Sequence, residues 1–556
     1  MEGLGRRAFL TGATVGGAAA LTSAAGVPAV ARPARAAPSA DGCERPFGPV
    51  VIGPGDPRYD SLLLSHNRRF RGRPQSVQVV GSAEQVAEAV GRAVAAGRRI
   101  AVRSGGHCLE NFTASPEVET LIDLSPMSGV TYDERRRAFA VGAGATLGQV
   151  YKALFTGWGV TIPAGSCPSV GVGGHITGGG YGFLSRRYGL AADHLYAVEV
   201  VVVDASGRAR VVVATRDAGD PERDLWWAHT GGGGGNFGVV TRFWLRSPDG
   251  SPDGSPDGSP DGSPGADGTD PARLLPKAPA AMRRRIVMWP WESMDEKTFS
   301  RLLRNYCDWY EANSAPSSPY AALWGVLLAS HRSAGQLGFI VGGDAGVAGV
   351  ESLMAAHAKA MTAGIGIEPA SDTLELLPYL DEANWVNEPA GRSKNKAADL
   401  RKGFTDRQIA AVYRHLSRED YTNPGANLSL TGYGGRINAV ASDATATATR
   451  DAILRAYFTT GGWASPDDDA RHIGWMREFY RDVYAGSGGV PVDGPVNAGS
   501  YINYADADLA DPKWNTSGVS WETLYYKGNY PRLQKIKKRY DPRDVFRHAL
   551  SVRLPK

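Results

Sequence analysis

Apolar positions first fall into regular spacing at residues 76–103. Val77, Val79 and Val80 open a strand. Ser82 and Gln85 stand three apart, the spacing of a capping box, and Val86, Ala89, Val90, Ala93 and Val94 then share one helical face. Residues 99–102 return to strand character. Short strand-like runs follow at 121–124 and 138–141. A second capping-box pair, Thr146 and Gln149, opens a helix predicted to end near Gly157. The run 197–203, apolar except for Glu199, predicts a buried strand. From about residue 284, helical stretches (296–312, 349–363) alternate with apolar strand-like runs (321–329, 338–342). This order predicts an α+β chain whose second half is a sheet backed by helices.

The ends of this pattern are different in kind. Residues 5–10 read Gly-Arg-Arg-Ala-Phe-Leu, an Ala/Gly-rich stretch follows, and Ala34-Arg35-Ala36 precedes Ala37. This is the form of a twin-arginine export signal over residues 1–36, with glycine before the arginine pair and threonine after Leu10 as departures. Its apolar part, 12–31, is too rich in Gly, Ala, Ser and Thr for a membrane span, and none is expected in the mature chain. The expected location is outside the cytoplasm. At 247–262 Ser-Pro-Asp-Gly repeats four times, turn chemistry that builds no core and reads as a flexible insert.

Composition narrows the function further. A net charge of +4 on 556 residues is small, and the basic cluster 535–539 reads as the solvated face of a C-terminal helix, so no nucleic-acid partner is expected. Four cysteines (Cys43, Cys108, Cys167, Cys307) are too few for a disulfide scaffold. No CxxC or HExxH occurs, so no metal is expected.

The chemistry is concentrated in glycine-rich loops. One reads Arg103-Ser104-Gly105-Gly106-His107. The other reads Gly165-Ser166-Cys167-Pro168-Ser169-Val170-Gly171-Val172-Gly173-Gly174-His175 and continues through Gly178 to Gly182. Such loops let backbone N–H groups come close to a phosphate or a flat ring. Each presents one nucleophile, and the two stand sixty residues apart. Cys108 carries no assigned role. A third glycine loop, 231–235, precedes Gly238 and Val239. None of these loops sits in a strand–GxGxxG–helix unit with an acidic residue about 20 positions on, which argues against a Rossmann dinucleotide fold.

Taken together, the loops resemble the berberine-bridge-enzyme-like FAD-linked oxidases. The tail agrees: 525–533 (Tyr-Tyr-Lys-Gly-Asn-Tyr-Pro-Arg-Leu) and 541–548 (Asp-Pro-Arg-Asp-Val-Phe-Arg-His) resemble the family's C-terminal signature. The resemblance implies an FAD-binding domain of the vanillyl-alcohol-oxidase (PCMH) type at 45–246. It also implies an insert at 247–270, a substrate domain at 271–504, and a C-terminal segment at 505–556 that returns to the FAD domain. It implies one FAD bonded twice, His107 to the 8α carbon and Cys167 to C6. The residues it places around that cofactor are Arg103, Ser104, Gly105, Gly106, Gly165, Ser166, Val170, Gly171, Gly174, His175, Gly178, Gly182, Gly238, Val239, Tyr501 and Asn503. Valine at 170 is the family's oxidase-type residue on the oxygen-reactive side.

A flavin oxidase must hold a substrate carbon over the cofactor and remove a hydroxyl proton. A tyrosinate serves as base when positive charge or hydrogen bonds lower its pKa from about 10. Residues 499–509 resemble the family's Tyr-x-Asn-Tyr segment. Read as a strand, it puts Tyr501 and Asn503 on one face and Tyr504 on the other. Tyr501 is the expected base, with Tyr433 and Tyr181 as further candidate catalytic tyrosines. A doubly anchored flavin leaves an open groove. The expected substrate is therefore an alcohol of a sugar, oligosaccharide or glycosylated metabolite, with oxygen reduced to hydrogen peroxide. Oxidative cyclisation or desaturation of a polyketide or alkaloid, and a non-catalytic flavoprotein, are the alternatives.

Overall fold

The helix Ala83–Ala95 starts where a serine stops the preceding strand. Ser82 is extended and its hydroxyl accepts the Gln85 N–H at 3.3 Å, while Gln85 Oε1 takes the Gly81 N–H at 2.8 Å. The return arm of the capping box therefore lands one residue earlier than the motif predicts. Val86, Ala89, Val90 and Ala93 are buried as their spacing demands. The computed structural model describes residues 47–248, 270–386 and 389–556. The export signal, and the repeat beyond its first two residues, lie outside the described residues.

Three sheets organise the chain. The first runs Val50–Ile52, Ser76–Val79, Thr120–Asp123, Ile100–Arg103, with parallel pairing among the last three. Its strand Ile100–Arg103 leads straight into the His107 loop. The second runs Val130–Asp133, Ala138–Gly142, Val239–Leu245, Leu195–Val203, Ala209–Thr215 and is antiparallel. Ala83–Ala95 packs between these two sheets. The helix Leu147–Trp158 has its full capping box at Thr146 and Gln149. It runs past the expected stop at Gly157 because Gly159, at φ 69°, takes the left-handed cap position.

The third sheet has seven antiparallel strands, in the order Ser371–Pro378, Ala281–Pro290, Gln336–Asp344, Leu323–Ser330, Asn427–Gly432, Leu454–Trp463, Arg392–Leu400. Glu296–Asn313, Val350–Thr362, Asp406–Leu416 and Asp469–Val483 cover one face, where Phe458, for example, meets Phe479 and Tyr480. One buried core connects all three sheets, from Val80 to Val552.

The C-terminal helix Tyr530–Tyr540 corrects the reading of the basic cluster. Lys537 is wholly buried rather than solvated, and donates to Asp541 Oδ2 at 2.7 Å and to the carbonyls of Asn236 and Phe546. The tail thereby grips the third glycine loop. Tyr526 donates to Gly232 O at 2.9 Å, and the Val552 N–H reaches Asn236 Oδ1 at 2.7 Å.

Candidate active site

The two nucleophile loops cross backbone on backbone. A Cβ on Gly105 would overlap the Gly171 amide nitrogen, and one on Gly171 would overlap that of Gly105. Only glycine permits this approach. Ser104 pins the crossing: its hydroxyl donates to Ala143 O at 2.6 Å and accepts the Gly173 N–H at 3.3 Å. Gly106 takes the left-handed turn at φ 74° that swings His107 outward.

At the crossing, His107 Nε2 lies 2.8 Å from Ser169 Oγ, and Cys167 Sγ lies 3.5 Å from the same oxygen. Imidazole and thiol thus meet at one hydroxyl. His66 stacks on His107 with ring centres 4.0 Å apart. Burial, with some help from His66, lowers the His107 pKa to about 4, so the ring is neutral and nucleophilic. Cys108 differs: its thiol donates to Glu110 O at 3.0 Å and burial pushes it up to about 11, which makes it a packing residue.

The remaining predicted flavin residues divide between walls and braces. Gly174 opens on space, with no atom within 4 Å of a Cβ there, and the Cα of Gly174 is 4.0 Å from a Cβ built on Gly234. Gly178 abuts the Asn503 amide and Gly182 the Ala164 carbonyl. Gly165 O accepts from Tyr151, and its N–H reaches His175 Nε2 at 3.2 Å. Burial holds His175 neutral, at about 4. The Ser166 carbonyl takes the Val386 N–H at 3.3 Å. Val170 is half-buried and folds back on Cys167 O. Gly238 lies against Val201 O, and Val239 begins the strand Val239–Leu245. Arg103 departs from expectation. Its guanidinium is committed to Asp123 and to Leu62 O, so it braces the loop instead of presenting charge to a cofactor.

The segment carrying Tyr501 is a turn, not a strand. The Tyr504 N–H returns to Tyr501 O at 2.9 Å, and the two rings lie 5.3 Å apart in one cluster. Tyr504 therefore does not point away. Its hydroxyl is 2.7 Å from that of Tyr181, whose ring neighbours Tyr501 and Tyr433 as well. Tyr501 Oη accepts the Gly180 N–H and an Asn503 amide hydrogen, each at 3.0 Å, and Asn503 also donates to His175 O at 2.9 Å. One chain of hydrogen bonds thus links the Cys167 loop to the candidate base.

Sequence reading missed the cation at the centre. Arg455, fully buried, places its guanidinium carbon 3.7 Å from the Tyr501 ring centre and 4.5 Å from those of Tyr181 and Tyr433. Asp399 holds it with two hydrogen bonds, at 2.6 and 3.0 Å. Burial raises the Tyr501 and Tyr433 phenols, the latter to about 12, and Arg455 opposes the rise in both. The Tyr433 hydroxyl is buried without a partner.

A second missed feature ties the two sides of the site together. Lys394 Nζ lies 2.8 Å from both Glu110 and Asp506. Lys396 Nζ lies 2.7 Å from Asp506 and 2.8 Å from Asp508, which Arg477 also holds. Glu110 follows the His107 loop and Asp506 follows the Tyr501 turn. Every charge in the cluster has an opposite partner, as burial requires.

Backbone-only walls, two nucleophiles at one edge and a hydrogen-bonded phenol beyond them fit a flavin. Comparison with known proteins agrees. A family model described as an FAD binding domain matches residues 74–212, and one described as berberine and berberine like matches residues 500–553. The sequence is 51% identical to the aclacinomycin-N/aclacinomycin-A oxidase of Streptomyces galilaeus, over 99% of this chain and 98% of that one. It is 30% identical to the hexose oxidase of Chondrus crispus, over 89% and 93%. A solved glycopeptide hexose oxidase, complexed with teicoplanin, is 48% identical and superposes at a TM-score of 0.86 over 92% of this chain and 100% of that one. The chain belongs to the berberine-bridge-enzyme-like FAD-linked oxidoreductases, with a vanillyl-alcohol-oxidase-type FAD-binding domain joined to a sheet-based substrate domain.

Proposed function

We propose that this enzyme oxidises an alcohol of a sugar or glycoside and holds its FAD by two covalent bonds, through His107 to the 8α carbon and through Cys167 to C6. The observation that carries this reading is the meeting of both nucleophiles at Ser169 Oγ. A neutral His107 that donates Nε2–H to Ser169 keeps a lone pair on Nδ1 for the 8α bond. When bound, FAD supplies the hydride acceptor, and oxygen leaves with both electrons as hydrogen peroxide.

The chain's own residues handle the proton. Tyr501, as the phenolate, takes the substrate hydroxyl proton on Oη and becomes the neutral phenol, and its two hydrogen-bond donors together with Arg455 stabilise the phenolate that does so. Asp399 keeps Arg455 in place. Tyr181 and Tyr433 pack around the same cation and shape the space where the carbinol sits. Oxygen is taken to approach on the side of half-buried Val170, whose N–H returns to Cys167 O.

The test is the intact mass of denatured, desalted protein with mapping of the flavin peptides. Adducts on both the His107 and Cys167 peptides support the reading, and His107→Ala and Cys167→Ala should each retain one bond. A bare polypeptide mass from yellow protein removes the double anchor. Peroxide release on a carbohydrate and glycoside panel tests the activity. We also infer export by the twin-arginine route. Replacing Arg6 and Arg7 by lysine should keep the protein in the cytoplasm, and unchanged export would refute this.

A further inference from the structure

A single tight turn decides what the Cys167 thiol can touch. Pro168 sets the backbone of the turn, and the Val170 N–H closes it on Cys167 O at 3.2 Å. The start of the helix Leu147–Trp158 holds it from outside. There the Leu147 N–H donates to Val170 O at 2.9 Å and the Gly148 N–H to Pro168 O at 3.0 Å. Cys167 and Ser169 therefore flank Pro168 with Sγ and Oγ 3.5 Å apart. Among the described residues, Ser169 Oγ is the one hydrogen-bond partner of both the Cys167 thiol and the His107 ring.

The imidazole cannot easily turn away from this hydroxyl. His66 stacks on it at 21° between ring planes. The backbone of His66 is tied on both sides, its N–H to Gly106 O at 2.9 Å and its carbonyl to the Gly391 N–H at 3.0 Å. Nε2 is thereby kept at Ser169, and Nδ1 is left for carbon.

A hydroxyl has one proton to give, and a neutral imidazole has one to give and one lone pair to offer. While Nδ1 carries the lone pair, the ring proton sits on Nε2 and Ser169 accepts it. No proton can then pass from the thiol through Ser169 to the ring. Once Nδ1 is bonded to carbon and the ring has released its proton to water, the lone pair is on Nε2. Ser169 then donates to Nε2 and accepts from the thiol. Thiol, hydroxyl and imidazole form a chain along which one proton moves, leaving thiolate at Cys167 beside imidazolium at His107. Thiolate is the nucleophilic form of cysteine.

Building on the double attachment proposed above, we infer that Ser169 is a proton relay that orders the two bonds: the His107 bond forms first, turns its ring from donor to acceptor, and so activates Cys167 for the second. Each bond replaces one C–H bond, at 8α and then at C6. The hydrogen leaves as a proton to water. The two electrons left behind pass to oxygen, which departs as hydrogen peroxide.

The test follows attachment in flavin-free full-length protein given FAD in air. Samples are quenched in acid, and the masses of the His107 and Cys167 peptides are read against time. Wild type should pass through a form bonded at His107 alone. Its second step should vary by less than about threefold between about pH 6.5 and 8, because proton transfer within the chain needs none from water. In Ser169→Ala the His107 bond should still form. The Cys167 bond should be about tenfold slower at neutral pH and should speed up about tenfold per pH unit, since thiolate then depends on hydroxide in bulk water. Ser169→Thr, which keeps the hydroxyl, should restore the flat profile. His107→Ala should reach its Cys167 bond by the same pH-dependent route, and it decides the matter if Ser169→Ala does not fold. A form bonded at Cys167 alone in wild type overturns the inference, as does a flat profile in Ser169→Ala or His107→Ala. Either result with both adducts present leaves the double attachment standing. No adduct on one or both peptides in wild type removes the double attachment, and this inference with it.

Discussion

Arg455 rests against the ring of Tyr501 while Asp399 grips the same guanidinium from the other side. The cation opposes the rise that burial imposes on the phenol. Replacing the pair together, as Arg455→Met with Asp399→Asn, avoids leaving a lone buried carboxylate. With the cation gone the phenol pKa rises further. The alkaline-rising limb of kcat against pH should then move up by about one unit, and kcat at neutral pH should fall about tenfold. Tyr501→Phe should lose at least as much and show no such limb. A pH profile unmoved in the double variant would detach Arg455 from the base.

The glycine crossing should be unforgiving. Gly105→Ala or Gly171→Ala puts a methyl group into the partner loop's backbone and should cost about 3 kcal/mol of stability, with flavin lost. Gly174→Ala meets no protein atom. It should leave the Tm of flavin-free protein within about a degree and lower flavin content instead. Thermal melts with and without flavin separate the two cases.

His357 has no hydrogen-bond partner on either ring nitrogen and lies among Tyr306, Trp309, Tyr310 and Phe339. Burial lowers its pKa to about 3, below the unfolded value of about 6.5. The unfolded chain therefore binds the extra proton in that window, and stability contributed by the neutral ring is lost as pH falls from about 6.5 to about 3. His357→Leu should be neutral or more stable by about 1 kcal/mol at pH 7. It should also reduce the acid-side slope of unfolding free energy by up to about 1.4 kcal/mol per pH unit. Denaturant titrations at a series of pH values give both numbers.

Lys537→Met leaves Asp541 buried without its cation and should destabilise the protein by about 3–5 kcal/mol. Adding Asp541→Asn should recover part of the loss. Urea unfolding measures both variants. Equal stability of wild type and Lys537→Met would show that the tail is not held by this contact.

Much of the scaffold was legible because local rules governed it. The Ala83–Ala95 helix, the Thr146 capping box and the buried strand Leu195–Val203 follow from spacing and caps alone. The loops announced His107 and Cys167 because glycine density is itself a local signal. The site's remaining parts depend on partners distant in sequence. Arg392–Leu400 did not read as a strand, since Lys394 and Lys396 look solvated until Glu110, Asp506 and Asp508 arrive from elsewhere to neutralise them. Lys537 misled for the same reason. Arg455 has no sequence motif, and its meaning comes from the three tyrosines it touches. Ser169 stood inside the quoted loop, but nothing in its neighbours shows that His107 would come to it. Tyr501–Tyr504 read as alternating because a turn and a strand share the same letters over four residues.

The hold of the tail on the third glycine loop also sets an order of events. Asn236 waits for the Val552 N–H, 316 residues later in the chain, and for Lys537, 301 residues later. A ribosome adding about 5–20 residues per second delivers those partners some 15–60 seconds after Asn236 is made. Both nucleophile loops are synthesised early, but the loop that completes their surroundings closes only near the end of translation. A cofactor seat that needs this loop closed is therefore completed late, by a nearly finished chain and not by a nascent one.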